Sequence, residues 1–127
     1  MFYSYYRDNV TAEAMEMLGY DVMTLGNHEF DHGPENVARA LKNLTFPIVL
    51  SNMDALAYPL LALVVKPYTL FPEHKLAVVG YIIATALLIA SLGKVVVEDP
   101  VKAVQRTIDE VNGLEYASDC CFSQWLH

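Results

Sequence analysis

The run Gly26-Asn27-His28-Glu29-Phe30-Asp31 places an amide, an imidazole and a carboxylate in one short segment, directly after the apolar stretch Val22-Met23-Thr24-Leu25. If that stretch is a strand, the loop leaving its carboxyl end is where an open α/β sheet binds ligands. The side-chain oxygen of Asn27 is a hard, neutral donor that completes the shell of a divalent cation without adding charge. His28 can deliver a proton or a hydrogen bond to a leaving group. Asp31, three residues on, can return over one turn and accept the other ring N–H of His28, fixing its tautomer and favouring the imidazolium. Together these residues could supply one metal donor and one oriented proton donor.

Each residue also has a plainer reading. Gly-Asn favours turn and capping geometry, and Asp31 can instead cap the helix that begins near Pro34. Glu29 is expected to make backbone or supporting contacts, His32 to lie in solvent, and His74, between Glu73 and Lys75, to sit in a surface turn. Asn52 follows Leu50-Ser51 at the carboxyl end of a second apolar stretch. It either faces the site as a substrate contact or shapes the turn.

The elements that must position these residues alternate between α and β. Asp8 or Asn9 can cap a helix with Val10, Ala14, Met17 and Leu18 on one face, closed by Gly19. A strand is expected over 22–25. Gly33-Pro34 opens a second helix with Pro at its first position, Glu35 in its first turn, and Val37, Ala38, Leu41 and Leu44 along the buried side. The near-continuous apolar run 46–50 suits a buried strand. Residues 56–70 are apolar and broken by Pro59 and Pro67, which reads as an edge strand or a packed loop. Further strands are expected over 76–80 and 94–97. Residues 100–112 read as a helix with Val101, Val104, Ile108 and Val111 aligned, and no repeat or linker interrupts the order.

Composition narrows the partners. The chain has 127 residues, 54% of them hydrophobic, and a net charge of -7. Its few Lys and Arg are scattered singly, which argues against nucleic acid or an acidic membrane surface. One uncharged run, from Leu76 to Gly93 between Lys75 and Lys94, reaches the lower limit of about 18 residues for a membrane span. Gly80, Tyr81, Thr85 and Ser91 weaken that reading, and a buried strand explains its first part. Cys120 and Cys121 are adjacent and would reach disulfide geometry only with strain. Met1-Phe2-Tyr3-Ser4-Tyr5-Tyr6-Arg7 lacks the basic start, apolar core and small-residue cleavage site of a signal peptide. Oligomeric state is not encoded in any of these features.

The six-residue motif Gly26 to Asp31 resembles the signature of the calcineurin-like dinuclear metallophosphoesterases, and with its flanks it looks like the 5′-nucleotidase branch. The flanks are Arg7-Asp8-Asn9-Val10, Ala12-Glu13-Ala14-Met15 and Leu18-Gly19-Tyr20-Asp21 before it. After it come Phe46-Pro47-Ile48-Val49-Leu50-Ser51-Asn52, Val79-Gly80-Tyr81 and Val97-Glu98-Asp99-Pro100. The resemblance covers roughly residues 2 to 112. It implies part of a layered α/β metallophosphoesterase domain over residues 1–113, incomplete at both ends, followed by an atypical tail over 114–127.

The function implied is metal-dependent hydrolysis of a nucleoside monophosphate to nucleoside and phosphate. Asn27 would be a ligand of one of two divalent ions, His28 would stabilise the transition state or protonate the leaving alkoxide, and Asp31 would be its partner. The family's Asp-x-His motif, its bridging Asp, its later Gly-His motifs and its nucleoside-holding second domain have no counterpart in this sequence. Catalytic metals need about three protein ligands each, and only one clear ligand is present. The isolated chain is therefore expected to be catalytically inactive. The alternative is a non-catalytic, truncated binding or membrane-associated protein that uses residues 76–93.

Two segments depart from the family pattern. Tyr81 to Gly93 would be a polar loop in nucleotidases, and Lys94 falls near where they place a polar residue close to substrate. The tail from Leu114 to His127 stands where a hydrophobic strand ending in a metal-binding Gly-His is expected. A truncated gene, an alternative splice form or read-through would each account for it. The family is typically extracellular, periplasmic or surface-anchored, which contrasts with the lack of a signal peptide.

Overall fold

A computed structural model describes residues 9–114 and 117–123. The expectations for Asp8 as a cap and for the first seven residues lie outside the described residues. The first helix, α1 (Asn9–Leu18), ends at Gly19, whose φ of +73° is the left-handed closure that glycine permits. The face carrying Met17 and Leu18 is left in solvent, at 88% and 75% exposure. What fixes α1 is polar instead: the Glu16 carboxylate accepts from the N–H and the hydroxyl of Thr45. The rings of Tyr20 and Phe46 add a contact at 6.0 Å between centroids.

The strand expected over 22–25 reduces to one parallel bridge, Met23 to Ile48. The Met23 N–H donates to Pro47 O at 3.1 Å and the Val49 N–H to Met23 O at 2.9 Å. Strand β1 (Ile48–Val49) is correspondingly short and pairs in parallel with β3 (Val65–Lys66). A sharper correction concerns residues 56–70. Pro59, at a helix's first position, starts α3 (Pro59–Val64), and the chain then enters β3 and β4 (Tyr68–Phe71). The run is thus a short helix and two strands rather than one edge strand or loop.

Helix α2 (Pro34–Leu41) starts as its sequence predicts. Gly33 at φ +89° precedes Pro34, and Val37, Ala38 and Leu41 are buried. Leu44 lies beyond the helix end and packs against the core from outside it. Strand β5 (Leu76–Ile82) pairs antiparallel with β4 around a tight turn at Pro72–His74, closed by Lys75 at φ +50°. His74 is exposed in that turn, as expected. The remainder of the apolar run becomes α4 (Ala86–Ser91). Among the described residues, no helix is long and apolar enough to cross a membrane.

Strand β2 (Met53–Asp54) pairs antiparallel with β6 (Val96–Val97), which leads into α5 (Pro100–Asn112). Asp99 caps α5 by accepting from the Lys102 N–H at 2.9 Å. The buried side of α5 is Ala103, Thr107 and Val111, so Val101, expected in the aligned stripe, is left exposed. The last strand, β7 (Ala117–Ser123), lies within the segment read as an atypical tail. It pairs in parallel with β5 from Leu76↔Ala117 to Ile82↔Ser123. Its unusual sequence therefore takes a regular place in the three-stranded sheet β4-β5-β7.

The two parallel pairings run close together at Gly80. A Cβ there would meet the carbonyl oxygen of Val49 and lie 2.7 Å from Thr24 Oγ1. Only a residue without a side chain lets the β5 backbone pass the exit of β1. The core gathers beneath this crossing and includes Leu25, Phe30, Ile48, Leu50, Ile82 and Leu92.

Candidate catalytic turn

Beyond the Met23 bridge the chain runs through buried Leu25 and extended Gly26 into a tight 3-10 turn, Asn27–Phe30. The start of the turn is stabilised from its own sequence, because Glu29 Oε2 accepts from the Gly26 N–H at 2.8 Å. Its end is fixed by burial: Phe30 is 0% exposed and sits in the core with Leu25. The Asp31 N–H donates to His28 O at 3.2 Å and the Gly33 N–H to Phe30 O at 2.9 Å, which carries the chain into α2. Helices α2 and α4 both lie against this turn.

The turn brings His28 and Asp31 together on the surface. Nδ1 of His28 is 3.2 Å from Oδ2 of Asp31, with both side chains about half exposed. A carboxylate only accepts, so the ring nitrogen that donates in this contact is Nδ1. Asp31 is not the helix cap, because the residue preceding α2 is Gly33. Asn27 is half-buried at the first position of the turn. His32 is exposed.

Asn52 lies at the exit of β1 but faces inward, with 0% exposure. Its Oδ1 accepts from the Ile82 N–H at 3.0 Å, and its Nδ2 donates to Ile82 O at 2.7 Å and to Glu98 O at 3.1 Å. Both amide donors and the amide oxygen are thus engaged by backbone, which favours the structural of the two expected roles over a substrate contact. The neighbouring Ser51 bonds Gly80 O through its N–H at 2.7 Å and its hydroxyl at 2.8 Å.

Sequence reasoning missed Tyr58. Its hydroxyl accepts from the Lys94 N–H at 3.1 Å, and it lines a cavity of about 450 Å³ with Glu35, Ala38 and Lys94. Gly93, at φ +58° and close to the Tyr58 hydroxyl, leaves no room for a side chain there.

A metal centre needs several donors converging from different elements. Among the described residues, no group of three His, Cys, Asp or Glu side chains is placed to hold a metal ion. Asn27, His28 and Asp31 come from a single turn, so the donors present do not fit a dinuclear centre. What they can do is orient an imidazole and hold its proton.

Comparison with known proteins bears on the family and the fold. No family model matches the chain. The 5′-nucleotidase of Bos taurus is 33% identical over 121 residues, which is 90% of this chain and 21% of that protein. The crystal structure of a 5′-nucleotidase precursor from Thermus thermophilus superposes with a TM-score of 0.84 at 27% identity, covering 95% of this chain and 25% of that one. A calcineurin-like phosphoesterase of Bacillus subtilis shares the fold with a TM-score of 0.71 at 20% identity, covering 98% of this chain and 43% of that one. Coverage of this extent exceeds what residues 1–113 could supply, so these superpositions run into the tail. The chain spans about a fifth of the length of the curated relatives it matches.

Proposed function

Because the chain belongs to the 5′-nucleotidase family of the calcineurin-like metallophosphoesterases, we propose that it carries the proton-delivering turn of a nucleoside monophosphate hydrolase. The observation that carries this reading is the 3.2 Å approach of His28 Nδ1 to Asp31 Oδ2 within one short turn. Asp31 accepts from Nδ1–H and so fixes the ring's orientation, which leaves Nε2 as the ring atom placed to give a hydrogen bond or a proton to the oxygen leaving phosphorus. Among the described residues, Asn27 is the side chain we assign as a ligand of a divalent ion.

Among the described residues the candidate donors come from one turn only, and two-metal hydrolysis needs about three protein ligands for each ion, so the purified chain is expected to be inactive alone. The test combines calorimetry with manganese or zinc and assay of phosphate release from adenosine monophosphate, both on the purified chain. Neither binding nor turnover is expected. Metal-dependent turnover would overturn the proposal that the chain is incomplete as a catalyst.

A further inference from the structure

We infer that Asn52 is a positioning residue for the Asn27–Phe30 turn, acting through the end of β5 and helix α4. The inference rests on the reading of that turn as catalytic, but its test does not require catalysis.

Three chain exits meet at Asn52. Ser51 ties the exit of β1 to β5, its N–H donating to Gly80 O. At the next position the side chain takes over: the Asn52 amide pairs with both the N–H and the carbonyl of Ile82. Its second donor reaches Glu98 O, and the Glu98 N–H donates to Asn52 O at 2.8 Å. One buried amide therefore joins the exit of β1, the last residue of β5 and the segment leading into α5. Buried amides bonded in this way are costly to remove, because their partners are left unsatisfied.

Ile82 is the hinge between this clamp and the site. Three residues separate it from α4, whose Ile89 N–H donates to Thr85 O at the start of the helix. Helix α4 lies against the Asn27–Phe30 turn. The side chains of Ile82, Leu92 and Phe30 also belong to one buried cluster. Releasing the end of β5 lets α4 move away from the turn and loosens the packing on Phe30.

Amide hydrogen exchange on the full 127-residue chain reads this directly. The reporters are the Asp31 and Gly33 amides, which donate to His28 O and Phe30 O. The control is Thr107→Val, which removes the buried bond from the Thr107 hydroxyl to Ala103 O on α5. With global stability matched by urea, Asn52→Ala should speed exchange at Asp31 and Gly33 by about tenfold or more over the control. Asn52→Asp keeps the acceptor for the Ile82 N–H and loses both donors, and it serves in the same comparison if Asn52→Ala does not fold. Exchange at both reporters no faster than in Thr107→Val would overturn the proposal, and this outcome is independent of any result on phosphate release.

Discussion

Nδ1 of His28 stands 3.2 Å from Oδ2 of Asp31, across a turn whose start is bonded by Glu29 and whose end is buried through Phe30. The pair needs no distant element to form, because both members lie on one short stretch of chain. In a polypeptide supplying the remaining ligands, His28→Ala should lower kcat by about 10²–10⁴-fold, the usual scale for losing a general acid. Asp31→Ala should cost less, since it removes the orienting partner and leaves the imidazole. Steady-state phosphate release checks both, and a His28→Ala protein with unchanged kcat would remove the proposed role.

Phe30 fastens this turn to the core, and its truncation should destabilise the chain by about 3–5 kcal/mol. Urea denaturation of Phe30→Ala gives the value. A loss under about 1 kcal/mol would mean that the site can collapse around the cavity without cost.

At Gly80 the expected effect is overpacking. A methyl group there would strike the Val49 carbonyl, and backbone cannot swing aside as a flexible side chain can. Gly80→Ala should therefore cost about 3 kcal/mol or more, at the upper end for an added methyl. A denaturation midpoint equal to that of the unmodified chain would contradict the close approach of β5 to the Val49 backbone at Gly80.

Asp99 caps α5 through the Lys102 N–H, so Asp99→Ala should cost about 0.5–2 kcal/mol. Asp99→Asn, which keeps an accepting oxygen, should recover most of that loss. The two midpoints measured side by side decide whether the cap or the charge matters.

Acid should weaken the attachment of α1. The N–H and hydroxyl of Thr45 hold the Glu16 carboxyl below the ordinary glutamate value. A depressed folded-state value gives stability that is present above the unfolded-state pKa and lost as pH falls through the folded-state pKa. Stability measured from neutral pH downward should therefore fall below the ordinary glutamate range, and Glu16→Gln should make that part of the profile flatter. An unchanged acid limb in the variant would show that the contact contributes nothing.

Local features of this chain are legible before any coordinates. Gly33-Pro34 announces a helix start, and residues 100–112 read as a helix, because caps, a fixed φ and apolar spacing act within a few residues. The Gly26 to Asp31 motif predicts its own His28–Asp31 contact for the same reason, and the family follows from that motif with its flanks. Non-local pairing and burial are another matter. Whether Val22 to Leu25 forms a strand depends on a neighbour far along the chain, and it keeps only the Met23 bridge. Met17, Leu18 and Val101 are apolar yet exposed because tertiary packing, not periodicity, chooses which helix face is covered. Asn52 looks like a site residue at a strand's carboxyl end, and only the approach of Ile82 and Glu98 turns its amide inward. Backbone register likewise draws the odd sequence of Ala117–Ser123 into the sheet beside β5. Capping, turn and motif chemistry are short-range and written in consecutive residues, whereas strand pairing and burial belong to the surfaces that folding brings together.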